Sequence, residues 1–172
     1  MKASRLTAAV GALVVGSMVD LTVAAQQRSD GSRPNLQGVW RVVERTSTAA
    51  GPSRAAGTQR DPQPGLFFLT GKHYAQVIVN SDKPRPGLPD VAKATADELR
   101  AVWDPFVAQA GTYEMAGDVV TMRPVATKTP APSGAFATWS YKLESNTLTM
   151  TQKTNQAGPR ANPVTLKFSR IE

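Results

Sequence analysis

The last three predicted strands alternate between apolar and polar side chains, and this period of two constrains the fold more than any other feature of the sequence. The alternation runs without a break through Thr138–Leu143, Thr147–Thr151 and Val164–Ser169. In each segment the apolar residues share one face and the polar residues share the other. Such a pattern is typical of an antiparallel meander that buries one face and exposes the other.

Earlier segments of the chain supply the remaining strands. Leu36–Thr46 has the β-branched and aromatic content of a strand. Leu66–Leu69 and Tyr74–Val79 flank a turn at Gly71, and Thr112–Arg123 contains a second hairpin. The sequence therefore predicts eight strands, and a twisted meander of that size removes its exposed edges by closing into a barrel. The predicted fold class is mostly β, an eight-stranded antiparallel barrel.

One α-helix is predicted after the third strand. Thr95 and Glu98 have the spacing of a capping box, in which each side chain satisfies a free backbone N–H of the other residue. Pro105 limits the length of this helix because proline cannot donate a backbone hydrogen bond. The segment Ala49–Pro64 is rich in Ala, Gly, Pro and Ser and is predicted to be a long loop.

The first 25 residues have the three parts of a secretory signal peptide. Lys2 and Arg5 form a basic start, Leu6–Val19 is apolar, and small residues lead to a cleavage site near Ala25. An uncleaved anchor is the alternative, but an apolar run of about 14 residues is shorter than the roughly 20 that span a membrane. We therefore expect residues 1–25 to be removed on export to the periplasm or medium, residues 26–35 to form a flexible leader, and residues 36–172 to form the barrel domain. We expect no transmembrane segment in the mature chain.

Several kinds of chemistry have no support in the sequence. The chain contains no cysteine, which excludes disulfides and thiolate metal sites. His73 is the only histidine, so no His-based metal site is predicted, and the serine-nucleophile and nucleotide-binding motifs are absent. The net charge is +7, but the basic residues are scattered and no nucleic-acid-binding motif accompanies them. We expect no metal, no cofactor and no nucleic-acid partner, and the sequence predicts no particular oligomeric state.

Three segments together resemble the bacterial lipocalin-like family of calycin type. They are Gly38-Val39-Trp40-Arg41 at the first strand, Ala110-Gly111-Thr112-Tyr113-Glu114 after the helix, and Phe168-Ser169-Arg170 in the last strand. The resemblance covers residues 36–172 and implies that Trp40 plugs one end of the barrel while Arg170 covers its indole face through a cation–π contact. The loop Ala49–Pro64 is longer than the usual first connection of the family.

Aromatic and acidic residues are the candidates for a ligand site inside the barrel. Strict alternation from Trp40 sends Glu44 inward, where a carboxylate could orient a ligand or move a proton. The alternative for Glu44 and Glu114 is a solvated position paired with an arginine. In the strand around Tyr113, either Tyr113 and Met115 or Thr112 and Glu114 line the interior. The predicted ligand-binding residues are Glu44, Phe68, Tyr113, Glu114, Trp139 and Tyr141, and no catalytic residue is assigned.

Three functions are compatible with these features. The first is an exported binding protein for a small hydrophobic or amphipathic molecule held in the barrel interior. The second is a packed barrel that serves as an interaction domain without a ligand, and the third is a cofactor-free isomerase or cyclase on a calycin scaffold. An eight-stranded barrel has just enough room to be filled by side chains or to hold one small ligand. A cavity would favour the first and third functions, and a filled interior the second.

Overall fold

The computed structural model describes residues 35–51 and 55–172. The predicted signal peptide at residues 1–25, and the predicted leader up to residue 34, lie outside the described residues. One α-helix, α1 (Ala96–Trp103), and a short 3-10 turn, Val91–Lys93, lie between the fourth and fifth strands. The strands are β1 (Gly38–Ser47), β2 (Gly57–Arg60), β3 (Gly65–Leu69), β4 (His73–Val79), β5 (Phe106–Ala116), β6 (Val119–Thr127), β7 (Ala137–Glu144), β8 (Thr147–Asn155), β9 (Gly158–Pro159) and β10 (Val164–Arg170).

Eight of these strands form a closed antiparallel barrel. The order around the barrel is β1, β3, β4, β5, β6, β7, β8 and β10, and β10 pairs with both β8 and β1. Closure leaves no long unpaired edge. The predicted eight-stranded barrel, with its helix after the third barrel strand, is confirmed. No helix of the described residues is both long and apolar enough to cross a membrane.

The predicted loop Ala49–Pro64 contains a short strand. β2 pairs with the second half of β1, from Glu44 to Ser47, whereas β3 pairs only with the first half, from Gly38 to Arg41. Because β3 is short, backbone groups in the second half of β1 need other partners, and β2 supplies them. The connection therefore folds back along the barrel wall.

Helix α1 begins where its capping box predicts. The backbone N–H of Glu98 donates to the hydroxyl of Thr95 at 3.3 Å, and the Glu98 carboxylate accepts from the backbone N–H of Thr95 at 2.8 Å. The Glu98 carboxylate also accepts from the Thr95 hydroxyl at 2.8 Å, and the two bonds that it accepts, from the backbone N–H and then the hydroxyl of Thr95, lower the pKa of its carboxyl. The helix ends at Trp103, before Pro105, and none of its residues is buried. α1 therefore lies on the surface and contributes little to the core.

The up-and-down course of the strands gives the barrel two different ends. The hairpins β3–β4, β5–β6 and β7–β8 turn at one end, together with the start of β1 and the end of β10. The longer connections lie at the other end. We call these the closed end and the open end.

Trp40 fills the closed end. Its side chain is 0% exposed, and its indole N–H donates to the carbonyl of Leu36 at 2.9 Å. The Arg170 guanidinium lies 4.2 Å from the centroid of the Trp40 ring and also donates to the carbonyls of Asn35 and Gln37. The surrounding core is apolar and includes Leu69, Tyr113, Val120, Leu148 and Phe168.

Gly38 is required by the backbone at this end. Its φ is +138°, which L side chains rarely adopt, and a Cβ there would overlap the carbonyl oxygen of Glu172. The last residue of the chain thus packs directly against the start of β1. The Gly-x-Trp pattern therefore combines a close approach of two backbones at Gly38 with the buried plug at Trp40.

Candidate ligand-binding cavity

A cavity of about 420 Å³ opens at the end of the barrel opposite Trp40. It lies among the open-end portions of β5 to β8, next to the connections that precede β5 and follow β6, and Tyr74 at the start of β4 also lines it. Inward-facing side chains that line it include Tyr74, Gln109, Met122, Ala137, Gln152 and Asn155. Its volume falls within the range of about 300–1,000 Å³ that is typical of small-molecule sites.

Two irregularities in strand register determine which side chains reach the cavity. The pairing of β5 with β6 shifts between Ala110 and Gly111, and the pairing of β7 with β8 shifts at Thr138 and Trp139. On the far side of the second shift, Asn155 pairs with Ala137 and both line the cavity. Bulges of this kind re-aim side chains, which strict alternation alone does not predict.

Tyr74 is one of the most buried residues of the cavity wall. Its side chain is 3% exposed, and its hydroxyl is buried with no hydrogen-bond partner among the described residues. Burial disfavours the charged phenolate and raises the pKa of Tyr74 to about 12. Tyr74 therefore stays protonated at neutral pH and keeps a hydroxyl proton to donate.

Tyr113 shows how a buried tyrosine is usually satisfied. It lies in the core, and its hydroxyl donates to the carbonyl of Thr70 at 2.5 Å. Burial raises the pKa of Tyr113 as well. Both rings are buried, but of the two hydroxyls only that of Tyr113 has a hydrogen-bond partner among the described residues.

Carboxamide side chains form much of the polar wall. The amide of Gln109 donates to the side-chain oxygen of Gln76 at 3.4 Å, across the β4–β5 pair. The side-chain oxygen of Asn155 accepts from the backbone N–H of Ala157 at 3.0 Å. Gln152 occupies the inward position opposite Trp139. The wall is thus polar but carries no formal charge at these positions.

Charged side chains lie around the rim of the cavity. Asp104 is exposed there. The ammonium of Lys128 donates to the carbonyl of Trp103 at 2.8 Å and lies 5.1 Å from the centroid of that indole ring. The contacts of Lys128 are thus with the C-terminus of α1.

Two arginines near the rim also pack on aromatic rings. The guanidinium of Arg85 lies 4.7 Å from the ring centroid of Phe106, and that of Arg123 lies 5.9 Å from the ring centroid of Phe136. Both phenylalanines line the cavity, whereas neither arginine does. The two arginines therefore contact aromatic residues of the lining without belonging to the lining themselves.

Three of the predicted ligand-binding residues lie inside the barrel but outside the cavity lining. Tyr113 and Trp139 are buried in the core, and Tyr141 is half-buried with its hydroxyl donating to the carbonyl of Gly117 at 3.1 Å. The open choice for the strand around Tyr113 is resolved, because Tyr113 and Met115 belong to the core side. These residues belong to the core and its edge rather than to the cavity.

The predicted inward position of Glu44 is wrong. The pairing of β1 with β10 shifts between Val42 and Glu44, and this bulge breaks the alternation that starts at Trp40. Glu44 is half-buried, with its carboxylate 3.6 Å from the guanidinium of Arg60. This pairing with an arginine is the alternative that the sequence left open.

Phe68 and Glu114 also face outward, contrary to the predicted ligand site. Phe68 is 36% exposed and follows Phe67, which is buried in the core. Neighbouring residues of a strand point to opposite faces, so only one of the two phenylalanines can lie inside. The same rule places Glu114, next to the buried Tyr113, on the exposed face.

Arg45 occupies the inward position that Glu44 was expected to hold. Its side chain is 5% exposed, and its guanidinium donates to Gln59 at 2.8 Å and to the carboxylate of Asp82 at 3.0 Å. The second carboxylate oxygen of Asp82 accepts from the backbone N–H of Ala55 at 2.5 Å. This network ties β1, the β1–β3 connection and the segment after β4 together at the open end.

Sequence reasoning missed the residues that line the cavity. For Tyr74 a signal exists, because the alternation back from the buried Ile78 through Gln76 reaches it. For Gln152 the alternation of Leu148 and Met150 gives the same signal. No comparable signal exists for Asn155, because a register shift precedes it. The same holds for Arg45, which lies inside the barrel but outside the cavity lining.

The described residues contain no group of three or more His, Cys, Asp or Glu side chains that could hold a metal ion. The polar groups at the cavity are instead hydroxyls and carboxamides. Such groups orient an organic molecule by hydrogen bonding.

Comparison with known proteins places this geometry in a family. No curated protein and no solved structure matches the chain. The family model of the lipocalin-like domain, in contrast, matches residues 37–170, which is nearly the whole barrel. The chain therefore belongs to the lipocalin-like domain family.

Proposed function

We propose that this protein is an exported binding protein that holds a small amphipathic molecule in the open end of its barrel. The observation that carries the proposal is the cavity of about 420 Å³ bounded by Tyr74, Met122 and the carboxamides of the wall. A barrel that served only as a packed interaction domain would fill this space with side chains.

The lining supports an amphipathic ligand. Met122, Ala137 and the ring of Phe136 give apolar contacts, while Gln109 and Gln152 offer hydrogen bonds. Sites of this composition bury the apolar part of a small molecule and use a few polar groups to orient it. A purely apolar molecule would leave the carboxamides without partners, at a cost in free energy.

The enzyme hypothesis has less support than binding. Among the described residues that line the cavity, the only carboxylate is that of Asp104, which is exposed at the rim. His73 is exposed at the closed end. Tyr74, with a pKa of about 12, is a weak acid at neutral pH.

Export is proposed from the sequence of residues 1–25. A basic start, a short apolar stretch and small residues near Ala25 favour a cleaved signal peptide. The test is to express the full chain in a Gram-negative host and determine the N-terminal sequence of the protein recovered from the periplasm. A mature N-terminus near Gln26 supports export, and an intact N-terminus in the cytoplasmic fraction contradicts it.

Binding is tested by filling the cavity. The side chain introduced by Ala137→Phe would occupy space inside the cavity, whereas Ala116→Phe places the same ring at an exposed position near the β5–β6 turn. Native mass spectrometry on protein purified from its own host should reveal a bound small molecule in the wild-type chain and in Ala116→Phe, but not in Ala137→Phe. Equal ligand occupancy in all three proteins would contradict the proposal.

A further inference from the structure

The outer surface of the barrel is apolar over β3 and β4. Leu66, Phe68 and Val77 are 37%, 36% and 44% exposed. Each of them has a buried neighbour in its own strand, so these three side chains point away from the core. Single exposed apolar residues are common on protein surfaces, but a contiguous patch of them marks an interaction surface.

Strand register joins these residues into one patch. Leu66 is paired with Val77, and Phe68 is paired with Ala75. Directly opposed residues of an antiparallel pair share a face of the sheet. The same rows continue through further apolar residues that are at least partly exposed: Val39 on β1, Ala108 and Ala110 on β5, and Ala126 on β6. We call this patch the outer apolar face.

The outer apolar face offers few groups for directed hydrogen bonds. Its side chains are aliphatic or aromatic, and the backbone beneath them is paired between β3, β4 and β5. The alanines of β5 leave an open hollow of about 290 Å³ beside Val77. A protein partner normally makes about one hydrogen bond per 100–200 Å² of interface, whereas the acyl region of a lipid bilayer needs none. The face therefore fits a lipid surface better than a protein.

Exposed cations border the outer apolar face. Arg41 is paired with Leu66 on the β1 side. The half-buried Lys128 lies on the β6 side, where its backbone N–H donates to Ala108. Lys72 and Arg123 are exposed toward the closed end. None of these four side chains takes part in an ion pair with another of the described residues.

Carboxylates are fewer along this border in the described part of the chain. Asp61 lies beside Arg41, Asp104 follows α1, and Glu114 lies toward the closed end. The whole chain carries a net charge of +7. An apolar patch with a cationic border is complementary to an anionic lipid surface, because the apolar residues enter the interface while the cations meet the phosphates.

The opposite wall of the barrel is polar on its outside. Its outward residues on β8 are Thr147, Thr149 and Thr151, and Thr165 and Lys167 stand beside them on β10. The apolar character is thus confined to one side of the molecule, and the other side provides matched control positions.

We infer that the outer apolar face docks on the surface of an anionic lipid bilayer. Leu66, Phe68 and Val77 enter the boundary between headgroups and acyl chains, and Arg41 and Lys128 lie at the level of the phosphates. This inference is independent of the proposed binding function, because the face lies on the outside of the barrel and the cavity opens at its end.

A single labelled cysteine locates the contact, because the natural chain contains none. Val77→Cys places the environment-sensitive dye NBD on the outer apolar face, and Thr149→Cys places it on the opposite wall. Both variants are purified from the protein's own host, so that they carry its natural processing. With vesicles of about one third phosphatidylglycerol in phosphatidylcholine, the emission of NBD at position 77 should brighten and shift to shorter wavelength. NBD at position 149 should not respond.

Two arginine and lysine variants test the charge requirement. Arg41→Gln and Lys167→Gln each remove one exposed cation and lower the net charge equally, but only Arg41 borders the outer apolar face. In cosedimentation with the phosphatidylglycerol vesicles, we expect about fivefold weaker binding for Arg41→Gln and a change within about twofold for Lys167→Gln. Vesicles of phosphatidylcholine alone should bind the wild-type chain about tenfold more weakly, and added salt should weaken binding to the anionic vesicles.

Several results would overturn the inference. These are an equal response of the two labels, no binding to either kind of vesicle, equal binding to both kinds, and equal weakening by Arg41→Gln and Lys167→Gln. A shift of the label at position 77 that depends on protein concentration without vesicles would show that a second copy covers the face, which also contradicts the inference. None of these results bears on the cavity, which Ala137→Phe tests separately.

Discussion

The guanidinium of Arg170 lies 4.2 Å from the centroid of the Trp40 ring, and these two residues are directly paired across β1 and β10. The pair therefore joins the first and last strands of the barrel at the closed end. Arg170 also donates to backbone carbonyls of the segment before β1, at Asn35 and Gln37. Arg170 thus lies where the first and last strands pair, covers the Trp40 ring and holds the segment before β1 in place.

Replacement of Trp40 should be among the most destabilising single changes. Trp40→Ala removes a fully buried ring and leaves a void, and we expect a loss of about 3–5 kcal/mol in the free energy of unfolding. Trp103→Ala is the matched control, because Trp103 is 54% exposed on α1. Urea denaturation followed by circular dichroism gives both values. Equal effects of the two substitutions would contradict the role of Trp40 as the plug.

Gly111 should tolerate no side chain, because the backbone of the neighbouring strand leaves no room for a Cβ. A Cβ there would overlap the carbonyl oxygen of Arg123 and come within 2.8 Å of the Cα of Pro124, both on the backbone of β6. We expect Gly111→Ala to lower the free energy of unfolding by about 3 kcal/mol, because the β5–β6 pairing must separate to admit the methyl group. Gly71→Ala is the control, with nothing within 4 Å of the added carbon and an expected change within about 0.5 kcal/mol. A comparable loss in both variants would contradict this account.

The Arg45–Asp82 pair should stabilise the open end. Asp82→Ala removes the carboxylate that lies 3.0 Å from the buried guanidinium and also accepts from Ala55. Because Asp82 is partly exposed, we expect a loss of about 2 kcal/mol, less than for a fully buried pair. Glu44→Ala breaks the exposed pair with Arg60 and should cost less than about 1 kcal/mol. Thermal denaturation of both variants at one salt concentration compares the two ion pairs, and a smaller effect of Asp82→Ala would overturn the ranking.

The barrel could be predicted from the sequence because alternation is a local property of each strand. Trp139, Met150 and Phe168 lie on the buried face that their segments indicate. The capping box at Thr95 and Glu98 likewise needs only neighbouring residues, and α1 begins there. Such features depend on spacing within a few residues, which the sequence displays directly.

The cavity could not be predicted in the same way, because its lining depends on register between strands. The bulge after Val42 turns Glu44 outward and Arg45 inward, and no pattern in the sequence of β1 predicts this bulge. For the adjacent Phe67 and Phe68, alternation requires that one ring faces out but does not say which. The space left beside Tyr74 depends on the volumes of side chains from five strands, which only the assembled barrel brings together.

Tyr74 should make the protein less stable at alkaline pH. Its pKa is raised from 10.0 to about 12 in the folded state, so between these values the unfolded chain releases a proton that the folded chain retains. The unfolded state therefore binds fewer protons, and stability falls by up to about 1.4 kcal/mol per pH unit as the pH rises from 10 toward 12. Below pH 10 this contribution is fully present. The raised pKa of Tyr113 acts in the same direction.

Tyr74→Phe isolates the part that this residue contributes. At pH 7 the variant should be as stable as the wild-type chain or up to about 1 kcal/mol more stable, because the lost hydroxyl has no hydrogen-bond partner among the described residues. Tyr113→Phe should instead be less stable at pH 7 by about 1 kcal/mol, since its hydroxyl bonds to Thr70. Urea midpoints at pH 8, 10 and 11 should decline less steeply for Tyr74→Phe than for the wild-type chain. The two proteins differ only at this hydroxyl, so parallel declines would show that Tyr74 does not carry the alkaline instability.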